Sequence, residues 1–326
     1  DYTGGGCPHI LAEPQRTNYI INSQAISLSP IKNGTFVDNF AISPDGTQNA
    51  TKLTATTTDP FFYQNVTFSA GQYTASLYVK GIGSSIGKDF RFAISSSTHA
   101  QYKIPAEWTR FDFTATISAG TANTGVEIAD PAVVGDEVLI WGWQVEEGSY
   151  ATSYIPTSGS TVTRNQDIFT RDGIGSLINS EEGVLFVEIA ALIATENYRQ
   201  ITLSDGSINN YVLVGFRNDT GNIYYSVVEN SIEQAGFISS QSSVNTFSKI
   251  AVKWKVNDFA IWVNGVELSS DALGSTFSAN TLNQLNFNII GVNDFFGKVK
   301  QLQVYDTSLT DNQLIQLTGE AGTHFF

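Results

Sequence analysis

Between residue 18 and about residue 164, apolar and polar positions alternate in short runs, broken by turn residues at intervals of roughly 8 to 12, as half-buried strands of an all-β sandwich require. Residues 49–56, 72–80, 90–95 and 109–117 are such runs. In the last, Phe111 and Phe113 share one face of the strand and Arg110 and Asp112 the other, so only one face is core. The same grammar restarts after Arg164, with strands predicted over 183–193, 211–217, 222–229 and 296–305. Residues 249–256 place Ile250, Val252, Trp254 and Val256 inward and Lys249, Lys253 and Lys255 outward. Asn264-Gly265, in the run that follows, is the pair most favoured in a two-residue hairpin turn. Only residues 310–317 read as helix, with Thr310 or Asp311 as N-cap and Leu314 and Leu317 on one face. The fold class expected is therefore all-β: two consecutive antiparallel β-sandwich domains and one short C-terminal helix.

The stretch from Trp141 to Arg164 reads as the last strand of the first domain followed by a connector. Trp141 and Trp143 fall on one strand face by the two-residue period, and Glu146-Glu147 follows. The composition then turns to Ser, Thr, Gly and Tyr with a single Pro156, which disfavours helix. Tyr150, Tyr154 and Ile155 are too apolar for a free linker, so they are expected to dock on a sandwich and hold the two domains in a fixed relation. Three consecutive glycines and two prolines in residues 1–17 predict an irregular arm leading in from an upstream region. The domains expected are thus this arm, a sandwich over 18–164 ending in the connector, and a sandwich over 165–326.

A chain of 326 residues fits two such domains, and 41% hydrophobic with 12% aromatic content supplies packed cores and excludes disorder. The net charge of −14, of which −9 falls on residues 165–326 and −4 on 18–164, leaves no basic footprint for a nucleic acid. Neutral glycans stay open as partners, and anionic ones through a bridging cation. A single cysteine, Cys7, excludes an internal disulfide. No apolar run reaches the roughly 18 residues of a membrane span, and no basic-then-apolar leader opens the chain, so membrane insertion is not expected. The lack of Met, position 1 included, suggests a fragment or processed product of a larger parent.

Residues 4–9, Gly-Gly-Gly-Cys-Pro-His, and 13–18, Glu-Pro-Gln-Arg-Thr-Asn, joined to 141–157, Trp-Gly-Trp-Gln-Val-Glu-Glu-Gly-Ser-Tyr-Ala-Thr-Ser-Tyr-Ile-Pro-Thr, resemble a module recurrent in tail-fibre, head-fibre and other receptor-binding proteins of bacteriophages and prophages. Such modules resemble carbohydrate-binding jelly rolls. Trp143 departs from the small residue of that pattern. Residues 249–255, 257–267 and 304–314 resemble the concanavalin A-like, laminin-G-type lectin sandwich. The resemblance implies a non-enzymatic module on a virion surface or similar extracellular appendage that binds a bacterial surface polysaccharide or receptor. It also implies other fibre or virion subunits as partners, a homotrimer among the assemblies it allows. A structural virion module without ligand, and the binding appendage of a secreted polysaccharide-degrading enzyme, are the rival readings.

Catalytic patterns are sparse. Gly83-Ser-Ser-Ile-Gly87 matches a nucleophile elbow in spacing, yet it sits between two antiparallel-type strands and reads as a flexible hairpin loop. His9, His99 and His324 have no spacing suited to a metal or a triad. Glu146 and Glu147 are adjacent on a strand, point to opposite faces and cannot flank one glycosidic bond. Turn-like segments at Asp38, Asp45, Asp136, Asp205, Asp219 and Asp294 could supply oxygen ligands to a structural Ca2+, although none shows the EF-hand spacing. Sugar binding needs an aromatic face for the C–H side of a ring and planar polar groups for its hydroxyls. The residues proposed for it are Phe61, Phe62, Tyr63 and Trp143 in the first domain, and Arg199, Tyr211, Arg217, Tyr224, Asp294 and Phe295 in the second. Of the aromatics, Trp143 and Tyr63 are expected to be exposed, and Trp141, Trp254 and Trp262 to be core.

Overall fold

A computed structural model describes residues 8–130, 132–192, 197–242 and 244–319, so that Cys7 and His324 lie outside the described residues. The chain forms two compact units, Gln15–Asn165 and the residues from Gln166 onward together with the opening segment through Pro14. Each unit is an antiparallel β-sandwich.

In the N-terminal unit one sheet runs in the order Thr109–Ile117, Gly71–Ile82, Glu137–Glu147, Gln48–Thr54, Thr35–Ile42. The other runs Ile31–Asn33, Phe61–Phe68, Gly120–Asp130, Asp89–Ser95, Thr98–Lys103. Their facing sides meet in a core that holds Phe62, Phe92, Leu77, Val126, Ile140 and Trp143, with Phe111 and Phe113 packed against it as their alternation requires. The Glu137–Glu147 strand breaks the two-residue period. Its register slips between Trp141 and Gln144, where Gly142 takes φ +67, a conformation that glycine adopts without a Cβ penalty. Before this bulge Val138 and Ile140 point into the core, and after it Trp143 and Val145 do. Trp141 and Trp143 therefore do not share a face, contrary to the simple alternation.

The Gly83–Gly87 loop also differs from expectation. It connects strands of different sheets and is not a hairpin. Ser84 Oγ donates to Asp136 Oδ1 at 2.9 Å and Ser85 Oγ donates to the Glu137 carbonyl at 2.6 Å, so the two hydroxyls pin the loop.

In the C-terminal unit one sheet runs Ile10–Ala12, Gly297–Tyr305, Glu182–Ala191, Ser248–Lys255, Phe259–Val263, Val266–Asp271. Its partner runs Thr170–Asp172, Gln284–Asn286, Arg199–Ser204, Tyr211–Phe216, Asn222–Glu229, Ile232–Ser242. Ile10–Ala12, placed in an irregular arm by composition, is an edge strand because Gly297–Val299 offers it a free ladder. The core between the sheets holds Trp254, Phe216, Phe259, Phe295 and their aliphatic neighbours. Asn264 and Gly265, at φ 49 and φ 85, make the predicted hairpin turn between Val263 and Val266.

The helix Asp311–Thr318 is capped by Thr310, whose hydroxyl accepts from Gln313 N–H while Gln313 Oε1 accepts from Thr310 N–H. Leu314 enters a second apolar cluster with Phe186, Ala251 and Trp262, so this helix covers the side of the sheet that alternation assigns to solvent. Lys253 is accordingly 6% exposed, with its ammonium 2.5 Å from Asp258 Oδ1. Val256, expected inward, is exposed because the strand ends at Lys255.

Candidate functional site

The segment of residues 148–159 lies over the outward face of the Glu137–Glu147 strand and turns polar side chains there into an interior network. Glu146 accepts from Thr152 N–H at 2.8 Å, from Thr152 Oγ1 at 2.6 Å and from Gln144 Nε2 at 2.7 Å. Gln144 Oε1 accepts from Ile155 N–H at 2.7 Å. Asn18 closes the network from the start of the unit: its Nδ2 donates to the carbonyls of Trp143 and Ile155, and its Oδ1 accepts from Ile20 and Val145 N–H. Asn18, Gln144 and Glu146 are each 0% exposed. Trp141 packs on Tyr154 with ring centroids 4.6 Å apart, and the Tyr154 and Ser23 hydroxyls bond at 2.5 Å. Burial pushes the Tyr154 hydroxyl pKa up to about 12, so it stays protonated. The connector thus docks on the N-terminal unit, as its apolar residues predict. Its conspicuous carboxylate is structural, while Glu147 faces solvent.

The aromatic residues proposed for sugar binding divide by strand face. Phe62 and Trp143, at 0% and 1% exposure, meet edge to face at 5.0 Å in the core and cannot touch a ligand. Phe61 and Tyr63 lie on the opposite face, stacked at 5.1 Å. The register sets Asn33, Phe61, Glu127, Arg91 and Gln101 in one row across the sheet, with Tyr63, Gly125, Ala93 and His99 in the next. Arg91 Nη1 donates to Glu127 Oε2 at 2.9 Å. Any side chain at Gly125 is excluded, since a Cβ there would lie 2.0 Å from the Phe62 carbonyl oxygen. Burial, reinforced by Glu127 and Asp59, raises the pKa of Tyr63, so this face presents a neutral phenol.

In the C-terminal unit Phe295 is 1% exposed and packs on Phe216 and Phe287, and Arg199 is 4% exposed; neither presents its side chain on the open face. Tyr211 and Tyr224 do share the outward face of their sheet, and Gln200 Nε2 donates to the Tyr224 hydroxyl. Burial raises the Tyr224 pKa against that hydrogen bond. Arg217 sits over the Tyr198 ring at 5.8 Å and is bound bidentately by Asp219, at 3.0 and 2.9 Å, which holds the Asp219 carboxyl well below the usual carboxylate range.

An open groove on this unit lies beside Gln200, whose N–H donates to the Asn293 carbonyl. It is a groove of about 520 Å3 lined by Gln166, Ile168, Thr170, Asp172, Gln284, Asn286, Asn288, Ile290, Gly291 and Asp294. Asp294 accepts from Asn288 Nδ2 at 3.1 Å and Gln166 Nε2 at 3.3 Å. Of the residues proposed from sequence only Asp294 lines this groove. The amides were missed, although the signal is present: Gln284, Asn286 and Asn288 alternate with Leu285 and Phe287, which face the core.

Among the described residues no three His, Cys, Asp or Glu side chains gather to hold a metal ion. The six turn aspartates considered for Ca2+ are each engaged locally: Asp38 by Ser27 and Thr51, Asp45 by Ser43, Thr47 and Asn49, Asp136 by Ser84, Lys88 and Val133, Asp205 by Ser207 and Asn210, Asp219 by Arg217, and Asp294 as above.

No protein-family model matches the chain, and no curated protein matches it in sequence. Solved structures similar to parts of it include the CBM40 of the Ruminococcus gnavus IT-sialidase bound to α2,3 sialyllactose, at 14% identity and TM-score 0.38, covering 46% of this chain and 98% of that one. Another is the CBM22-1-CBM22-2 tandem of Paenibacillus barcinonensis Xyn10C, at 11% identity and TM-score 0.31, covering 91% and 100%. Domains LG4-5 of the mouse laminin alpha1 chain follow at 9% and 0.29, covering 76% and 88%. At these identities and scores the likenesses show no function of this chain.

Proposed function

We propose that the chain is a non-catalytic glycan-binding module of a phage fibre or similar surface appendage, gripping a bacterial cell-surface polysaccharide through the outward face of its C-terminal sandwich. The observation that carries this reading is the open groove lined by four planar amides and two carboxylates. Each amide offers one acceptor and two donors, and a sugar hydroxyl is both, so a row of amides pairs with a row of hydroxyls. Ile168 and Ile290 give the groove apolar flanks suited to the C–H faces of a ring. The groove is open to solvent, so a single contact is weak. Repetition on a fibre, with other fibre subunits as partners, would raise overall avidity by roughly 10²-fold or more. The fibre setting is supported by the resemblance of residues 4–9, 13–18 and 141–157 to fibre modules, whose described parts form the Asn18–Glu146–Thr152 network.

The outward Phe61–Tyr63 pair of the N-terminal unit is proposed as a second, aromatic contact surface. The test is titration of the chain with host-surface polysaccharides, with and without calcium, beside an Asn286→Ala variant. Binding weakened by that substitution is expected. A chain that binds no surface polysaccharide in either condition is a structural fibre module, and release of reducing ends from a bound polysaccharide would end the non-catalytic reading.

A further inference from the structure

We infer, resting on the glycan-binding reading above, that the groove takes an uncharged polyhydroxyl chain and turns away carboxylated, sulfated or phosphorylated ones. Its polar lining consists of Gln166, Gln284, Asn286 and Asn288 with Asp172 and Asp294, and no Lys, Arg or His is among the lining residues. A sugar hydroxyl can donate to a carboxylate and accept from an amide, and so satisfies this lining wherever it lands. An acidic group on a glycan can only accept, and here it would face two carboxylates with no cation to offset them.

The surrounding sheet keeps the same character. Arg171 alternates onto the other face, in register with Leu285, whose side chain packs on the core. Outward positions on the neighbouring strands are Gln200, Thr202, Ser204, Leu213 and Ser226, and Ser226 Oγ donates to a further carboxylate, Glu233, at 2.8 Å. Arg217 is already closed onto Asp219, which occupies the fork that an acidic sugar would need. The net charge of −9 on residues 165–326 adds a long-range field of the same sign.

The experiment is calorimetric titration of the full chain with neutral oligomers of glucose, mannose, galactose and rhamnose, and with oligogalacturonate, alginate oligomers and sialyllactose. Each is repeated in calcium and in EDTA, and with Asn286→Ala and Asp172→Lys. Asp172 is an exposed edge residue, so its variant folds even if the half-buried Asn286 is less tolerant. A neutral oligomer should bind, roughly tenfold more weakly to Asn286→Ala, with the acidic oligomers at least about tenfold weaker than the neutral ones. Asp172→Lys should narrow that gap by strengthening the acidic ligands. If acidic oligomers bind the parent chain as well as neutral ones do, with or without calcium, and Asn286→Ala weakens them equally, the charge inference is overturned and the glycan-binding reading stands. Absence of binding by every oligomer, or binding indifferent to both substitutions, overturns the groove as a glycan site altogether.

Discussion

Asn18, Gln144, Glu146 and Thr152 of the N-terminal unit and Gln284, Asn286, Asn288 and Asp294 of the C-terminal unit are largely the same chemical groups in opposite states. The first set lies at no more than 1% exposure, and its amide and carboxylate oxygens accept from backbone N–H groups, the Gln144 amide nitrogen or the Thr152 hydroxyl. The second set is half-buried along an open groove, where Asn288 and Gln166 meet Asp294 and the amide positions not bonded within the protein face water or a ligand. A polar side chain whose bonds are closed within the protein specifies structure, and one left open to solvent can be spent on recognition. The conspicuous motif, Trp-Gly-Trp-Gln-Val-Glu-Glu, belongs to the closed set. The plainer alternation Gln-Leu-Asn-Phe-Asn belongs to the open one.

The hardest strike at this contrast is Trp143→Ala. The ring is 1% exposed against Phe62, so its removal should cost about 3–5 kcal/mol in urea unfolding, with no change in the groove's ligand affinity where the variant is folded. A variant of unchanged stability that no longer binds glycan would return Trp143 to the ligand-binding residues. Asn18→Ala comes next. It orphans two buried N–H groups and two buried carbonyls, and should cost about 3 kcal/mol or more, again with affinity preserved.

A third test uses pH. Burial raises the Asp136 pKa, but the hydrogen bond from Lys88, with those from Val133 N–H and Ser84, prevails and lowers it below its ordinary 3.8. A carboxylate whose folded-state pKa is depressed stabilises the protein above its ordinary value, and that contribution is lost as pH falls through the folded-state value. Asp136→Asn should therefore cost about 1–2 kcal/mol at neutral pH, and the difference from the parent chain should shrink as pH drops below about 3.8. A difference that stays constant down to about pH 2 would show that the Asp136 carboxylate is not held by these bonds.

The fold was legible because its cause is local. Period-two alternation, Asn264-Gly265 and the N-cap with Leu314 and Leu317 on one face each act over a few residues, and the strands, the hairpin and the capped helix followed from them. The candidate site was half legible. Alternation separates Phe61 and Tyr63 from Phe62, and Asp294 from Phe295, once one member of each pair is known to be core. It could not reveal the bulge at Gly142, which reverses every side chain after it and carries Trp143 inward. Nor could it reveal that the 148–159 segment and the 311–318 helix cover outward faces, which buries Glu146 and Lys253. The helix reaches its sheet through residues far apart in sequence, and the 148–159 segment folds back on the strand just before it without any two-residue period to signal the return.

The mildest substitution sharpens the contrast most. Gln284 lies half-buried in the groove, and the hydrogen bond its Oε1 accepts from Asn286 Nδ2 is long at 3.4 Å. In the free protein water replaces whatever Gln284→Ala removes, so thermal or urea stability should move by no more than about 0.5 kcal/mol. In the proposed glycan complex the ligand would exclude that water, and the hydroxyl facing position 284 would lose its partner. Affinity for a neutral oligosaccharide should then fall by about 1 kcal/mol, roughly fivefold. Asn18→Ala is expected to show its whole cost before any ligand is added, and Gln284→Ala only after. If Gln284→Ala instead destabilises the free chain by several kcal/mol, the groove amides are part of the scaffold and the division between closed and open polar groups fails.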